Sequence, residues 1–439
     1  LGLIMSLTPI PLSVSWQPAV QARTSNAATL GGLLGASRSR TLALIDCFDA
    51  ALGADIGVPL HPHYNPPIWE LGHVGWFQNH WIRRNVQRAN GTRYDPALAM
   101  AQRAAIAHDA QADADADADA DAVAVAVADA LYDSSLVGHT SRWDLPLPSL
   151  AQTRQQLNAG LQHTLELLAQ CPHSDDALYF YRLALLHEDM HSEAAVNTAQ
   201  ALGIPVDPSL VTPAQHARPH QALQLHLPAC RWQLGNTQPG FSFDNELGGH
   251  DLALPSFKID TQAVNWDKFL GFIEDGGYAN PRWWSKEGWQ WRTTHAHAMP
   301  RYLRNAGLDC GWQSQRFGQW HALDKQDSAT HLNLFEVQAW CLWAGLQLPT
   351  EAQWESAAVT QPDFVWGNVW EWTASKFEPY PGFVSHPYQD YSQPWFNSRQ
   401  VLRGASLATT ERMAHPLYRN FFEPDRNDLM TGFRTCLPA

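Results

Sequence analysis

A chain of 439 residues with 45% hydrophobic content exceeds what one compact core usually holds, which predicts two or three domains. The formal charge of -14 comes partly from one alternating Asp/Ala tract, where Asp113, Asp115, Asp117, Asp119, Asp121 and Asp129 are six of the negative charges, so acidity says little about a substrate. There is no Lys/Arg-rich stripe, which argues against a nucleic-acid partner, and no run approaches ~18 uninterrupted apolar residues, which excludes a membrane-spanning helix.

Residues 1–38 read as a loose N-terminal arm, because the apolar start is interrupted by prolines and has no basic flank. From Ser39 the stretch SRTLALIDCFDAAL spaces its apolar residues as a helix does, and a second helix follows Pro67 in PPIWELGHVGWFQNHWIRRNVQR. The Asp/Ala tract, at about 108–130, has no apolar face in its Asp part and is expected to be a disordered or variable insertion without function. Two further helices fit LPSLAQTRQQLNAGLQHTLELLAQC and DDALYFYRLALLHEDMHSEAAVNTAQALG, the second ending at Gly203. Four long helices predict a bundle over 39–203, whose metal sites would form from inward-facing side chains. A Pro-rich linker without periodicity covers 204–224. Residues 225–439 then show short apolar runs, dense Trp and frequent Gly, Pro and Asn, the pattern of a loop-rich α+β domain. The six scattered cysteines, with no C-x-x-C pair, suit a reduced cytoplasmic protein.

The octapeptide HEDMHSEA contains both H-E-x-x-H and H-x-x-x-H-x-E. On a helix His187 and His191 share one face and can meet one ion. A zinc peptidase would use Glu188 as base and an extension ending in a third ligand, but Ala194 and Asn197 stand where that extension needs Gly and His. Glu193 is turned away from the shared histidine face, which suits a supporting partner better than a ligand. His73, on an apolar helix, is the best third ligand. Three imidazoles leave positions open on an ion, which fits Fe(II) binding substrate and dioxygen and equally fits zinc.

His73 in PPIWELGHVGWFQ, the H-x-x-x-H-x-E set, and then LPTEAQWESAA, WGNVWEWTAS, PYPGF, VLRGAS and YRNFFEPDRNDLMTGFR together resemble the ergothioneine-biosynthesis sulfoxide synthases over residues 39–439, and most closely their selenoneine synthase branch. That resemblance implies a DinB-like four-helix bundle followed by a formylglycine-generating-enzyme-like, C-type-lectin-like domain. It implies Fe(II) on His73, His187 and His191, hercynine and O2 as substrates, and a selenosugar or thiol as donor. By the same resemblance Asn420 and Phe421 hold the betaine, Tyr380 gives a proton or hydrogen to the oxygen intermediate, and Arg426 meets the donor. Phe422 stands where users of γ-glutamylcysteine carry an aspartate, which disfavours that donor and leaves cysteine or a selenosugar. Two other classes remain: a non-catalytic binding module, and a formylglycine-generating oxidase, which would need a redox-active pair such as Cys341 and Cys436.

Overall fold

The computed structural model describes residues 16–99, 119–214, 223–307 and 310–438. The chain is α+β, with a helical first half and a second half of short strands and helices. Among the described residues, no helix is long and apolar enough to cross a membrane.

The helical half comprises α1 (Gln17–Thr24), α2 (Ala27–Leu52), α3 (Pro67–Gln78), α4 (Asp119–Tyr132), α5 (Leu150–Ala169) and α6 (Asp175–Leu202). Pairwise packing of α2, α3, α5 and α6 makes the bundle. Helix α6 starts at Ser174, whose side chain accepts from the Ala177 N–H, carries Asp175 and Asp176 at its positive end, and stops at Gly203 with φ 70°. Its residues from Ala177 to Asp189 are buried without a break. A helix buried on all sides is one packed on all sides, and α6 lies between the rest of the bundle and the second domain.

Two expectations need correction. Residues 16–38 are no loose arm: α1 and most of α2's first half lie there, with Leu30 and Leu34 fully buried. Arg23 of α1 sits beside Glu246 of the second domain at 2.7 and 2.8 Å, both buried, and a charge taken from water persists only when paired in this way. Residues 1–15 lie outside the described residues. The Asp/Ala tract is likewise more than an insertion. Residues 100–118 fall outside the described set, but Asp119–Tyr132 forms α4, and Asp129 accepts from both Arg84 and the Trp76 indole at 2.7 Å. Alanines favour a helix there.

In the second domain the strands Asn420–Phe422, Gln400–Gly404, Trp370–Lys376 and Thr431–Gly432 form one sheet in that order, with Phe421 opposite Val401. Beneath it Glu351, Glu355, Arg403 and Arg419 form a buried ladder of ion pairs at 2.7–3.2 Å. The two domains share one apolar core, in which Trp69 and Leu186 from the bundle join Trp370 and Tyr418. Asp189 of α6 accepts two hydrogen bonds from Arg412, at 2.6 and 2.8 Å, across the same junction.

Candidate metal centre and substrate cavity

His73 comes from α3 and His187 and His191 from successive turns of α6. A nitrogen from each lies within 4.8 Å of the others, and the Nε2 atoms of His187 and His191 are 3.2 Å apart. The outer nitrogens explain why the inner ones converge. His73 Nδ1 is 2.8 Å from the Tyr132 carbonyl, which only accepts, so Nδ1 carries the proton and Nε2 keeps its lone pair. His191 Nδ1 meets the Glu70 carboxylate, which fixes the same tautomer, and Asn65 donates to the other Glu70 oxygen. His187 stacks flat on Phe77, with centroids 3.5 Å apart and planes at 4°.

Burial first, and then the neighbouring histidines, lower the imidazole of His73 to about 3 and that of His187 well below its ordinary value. Burial pushes the Glu70 carboxyl up, but His191 and Asn65 outweigh it and hold the group at about 2. Converging imidazoles, two of them anchored through their outer nitrogens, are what a divalent transition metal requires. The residues present fit such an ion, with positions left open for other molecules.

A cavity of about 360 Å3 opens between the domains. His191, Glu70, Asn420, Phe421, Phe422 and Arg426 all line it, so residues far apart in sequence are brought together. Phe421 is stacked on Phe377 at 4.0 Å, leaving part of its surface to the cavity. Tyr391 and Tyr418 line it too and are hydrogen-bonded to each other at 2.9 Å. Glu193 reaches the second domain, accepting from the Trp370 indole at 2.5 Å, and burial raises its carboxyl to about 6.

The structure does not bring Tyr380 to this cavity. Its hydroxyl donates to Glu351 at 3.0 Å, Arg403 approaches it at 3.2 Å, and Arg419 lies 3.9 Å from its ring centre. Those charges hold it in the buried ladder. A tyrosine ring that does meet one of the clustered histidines is that of Tyr388, edge-on to His187 at 5.9 Å and to Phe77 at 5.0 Å; burial moves its hydroxyl above its ordinary range. Arg426 lines the cavity, but its guanidinium is held by Asp428 at 2.6 and 2.8 Å, so it does not present a free charge. Sequence reasoning also missed Glu70, Asn65 and the Tyr132 carbonyl.

Glu188 faces away from the histidines and pairs with Arg38, which removes the base a peptidase needs. Cys341 and Cys436 are buried in the core and do not line the cavity; burial raises both thiols, Cys436 to about 11.

Fold and site therefore define a protein in which a helical bundle and a mixed domain share one cavity beside three clustered histidines of metal-binding type. The family model of the sulfatase-modifying factor enzyme 1-like domain matches residues 212–367 and 363–438, and the chain belongs to that family. Along nearly its whole length the chain is also similar to hercynine oxygenases. That of Mycobacterium tuberculosis is 28% identical over 91% of this chain and 96% of its own, and that of Mycolicibacterium smegmatis is 28% identical over 92% and 98%. The formylglycine-generating enzyme of Streptomyces coelicolor is 23% identical, over 54% of this chain and 97% of its own.

Proposed function

We propose that this chain is an Fe(II)- and O2-dependent enzyme that attaches selenium to the imidazole carbon lying between the ring nitrogens of hercynine, with a selenosugar as donor. The observation that carries this reading is that His191, which clusters with His73 and His187, lines the same cavity as Asn420 and Phe421. The name of the relatives, hercynine oxygenase, supports hercynine and O2 as substrates.

The reaction balances if the ring C–H and the donor Se–H are both lost, a C–Se bond forms, and O2 gives one oxygen to selenium while the other leaves as water. Bound iron would supply the electron transfer that O2 needs and would hold the reactants together. The chain's own residues do the rest. Aromatic faces of Phe421, Tyr391 and Tyr418 suit a quaternary ammonium, and the Asn420 amide suits the betaine carboxylate. Tyr388, protonated and beside His187, takes the proton-donating role that Tyr380 cannot reach.

Donor choice rests on Phe422 and Arg426. An apolar wall beside a guanidinium already neutralised by Asp428 offers neither a partner for an amino group nor a free one for a carboxylate. This favours a sugar-borne selenol over cysteine or γ-glutamylcysteine; sulfur transfer from those thiols to give an ergothioneine-type sulfoxide is the second reading. Six free cysteines support a reducing, cytoplasmic setting.

The test is to supply hercynine, Fe(II) and O2 with a 1-seleno sugar, cysteine or γ-glutamylcysteine and identify products by mass spectrometry. The selenosugar adduct is expected to dominate. Preference for γ-glutamylcysteine overturns the donor, and no product from any donor leaves a binding module.

A further inference from the structure

A second cavity of about 590 Å3 lies where the C-terminal end of α6, the segment after it and the second domain meet. It shares no lining residue with the first. Leu429 faces one and Met430 the other, so a single stretch of backbone divides them. Trp266, Phe317, Val369 and Leu407 make much of its wall apolar.

Set into that wall are two polar atoms without hydrogen-bond partners among the described residues. His331 is 5% exposed, and its Nδ1 makes no hydrogen bond among the described residues; nor does the buried hydroxyl oxygen of Thr330. Buried polar atoms are seldom left unmet, and those that are call for an explanation. Arg301 lines the same space and lies 5.0 Å from the centre of the Tyr302 ring. Arg316 is matched by Asp327 at 2.5 Å, whereas no carboxylate contacts Arg301 among the described residues, so the lining carries one unmatched positive charge. Tyr302, Phe317 and His331 have φ of 63°, 47° and 61° and all three line this cavity. Bulky residues hold that left-handed backbone at a cost, and such strain gathers at ligand sites.

We infer that this cavity is a second ligand site, for a small monocarboxylate with an apolar body. Arg301 takes the carboxylate, the Thr330 hydroxyl donates to it, and the apolar wall covers the remainder.

Titration calorimetry on the full chain, with and without hercynine, tests it with phenylacetate and octanoate as probes. One site per chain is expected in both conditions, and the neutral amides of the same acids should bind at least tenfold more weakly. Arg301→Gln should weaken both acids about tenfold or more, the size of one charge-assisted contact, at an unchanged melting temperature. Thr330→Val should weaken them less, and His191→Ala should leave them bound. Absence of saturable binding, equal binding of the amides, or an unaltered affinity in a folded Arg301→Gln protein overturns the inference. Loss of acid binding when hercynine is added, or in His191→Ala, overturns it too by placing the acid in the first cavity.

Discussion

Glu188 and Arg38 form a two-point ion pair inside the bundle, Nε to Oε1 at 2.8 Å and Nη2 to Oε2 at 3.1 Å, with each side chain 2% exposed. Glu188 lies between His187 and His191 in sequence yet is turned off their shared face of α6 toward Arg38. Glu188→Gln should therefore cost stability, on the order of 3–5 kcal/mol for an orphaned buried partner, while folded protein still retains iron. Urea unfolding and iron content measured on the same sample check this; a peptide-cleaving activity lost without any change in stability would contradict it.

Glu70 orients His191 through Nδ1. Glu70→Gln should keep the fold and weaken iron binding roughly 10- to 100-fold, the usual effect of altering a group that positions a ligating histidine. Competition with a coloured chelator reads the affinity directly. An unaltered value would mean that the carboxylate does not hold the ring.

Removing Asp119–Tyr132 should lower iron retention, because it takes away the carbonyl that anchors His73 and the Asp129 partner of Arg84. If the shortened protein holds iron as tightly as the parent, α4 has no part in the site.

Far from the metal, Glu336 sits at the start of the helix Leu334–Ala344, where Tyr278 donates to it at 2.6 Å. Burial raises its carboxyl to about 7. The folded protein thus keeps a proton that the unfolded chain releases above its ordinary value of 4.5, and raising the pH pulls the equilibrium toward unfolding. The contribution is fully present below about pH 4.5 and is lost as the pH climbs to about 7, at most roughly 3 kcal/mol by the usual conversion. Glu336→Gln should flatten that slope in denaturation curves taken between pH 5 and 8; an unchanged slope would assign it to other groups.

The clustering of the three histidines was legible because helical spacing alone puts His187 and His191 on one face, and an apolar helix aims His73 inward. Glu70 was legible in principle by the same rule, standing one turn before His73 in WELGH. Tyr380 misled because it lies in a loop. Loop paths follow tertiary contacts rather than local periodicity, and here the buried arginines keep Tyr380 while Tyr388, later in the same loop, turns toward His187. Arg426 was read without its neighbour Asp428, two residues on. Helix α2 was begun too late because the glycines of TLGGLLGAS weaken helix propensity; packing of Leu30 and Leu34 compensates.

The most direct test of the account uses hercynine deuterated at the carbon between the ring nitrogens, with Fe(II), O2 and a 1-seleno sugar. Mass spectrometry should show that deuterium lost and one selenium gained per product molecule, in the parent protein and not in His73→Ala, His187→Ala or His191→Ala. Recovery of hercynine with its deuterium intact and no selenium attached, from protein that demonstrably holds iron, would contradict it.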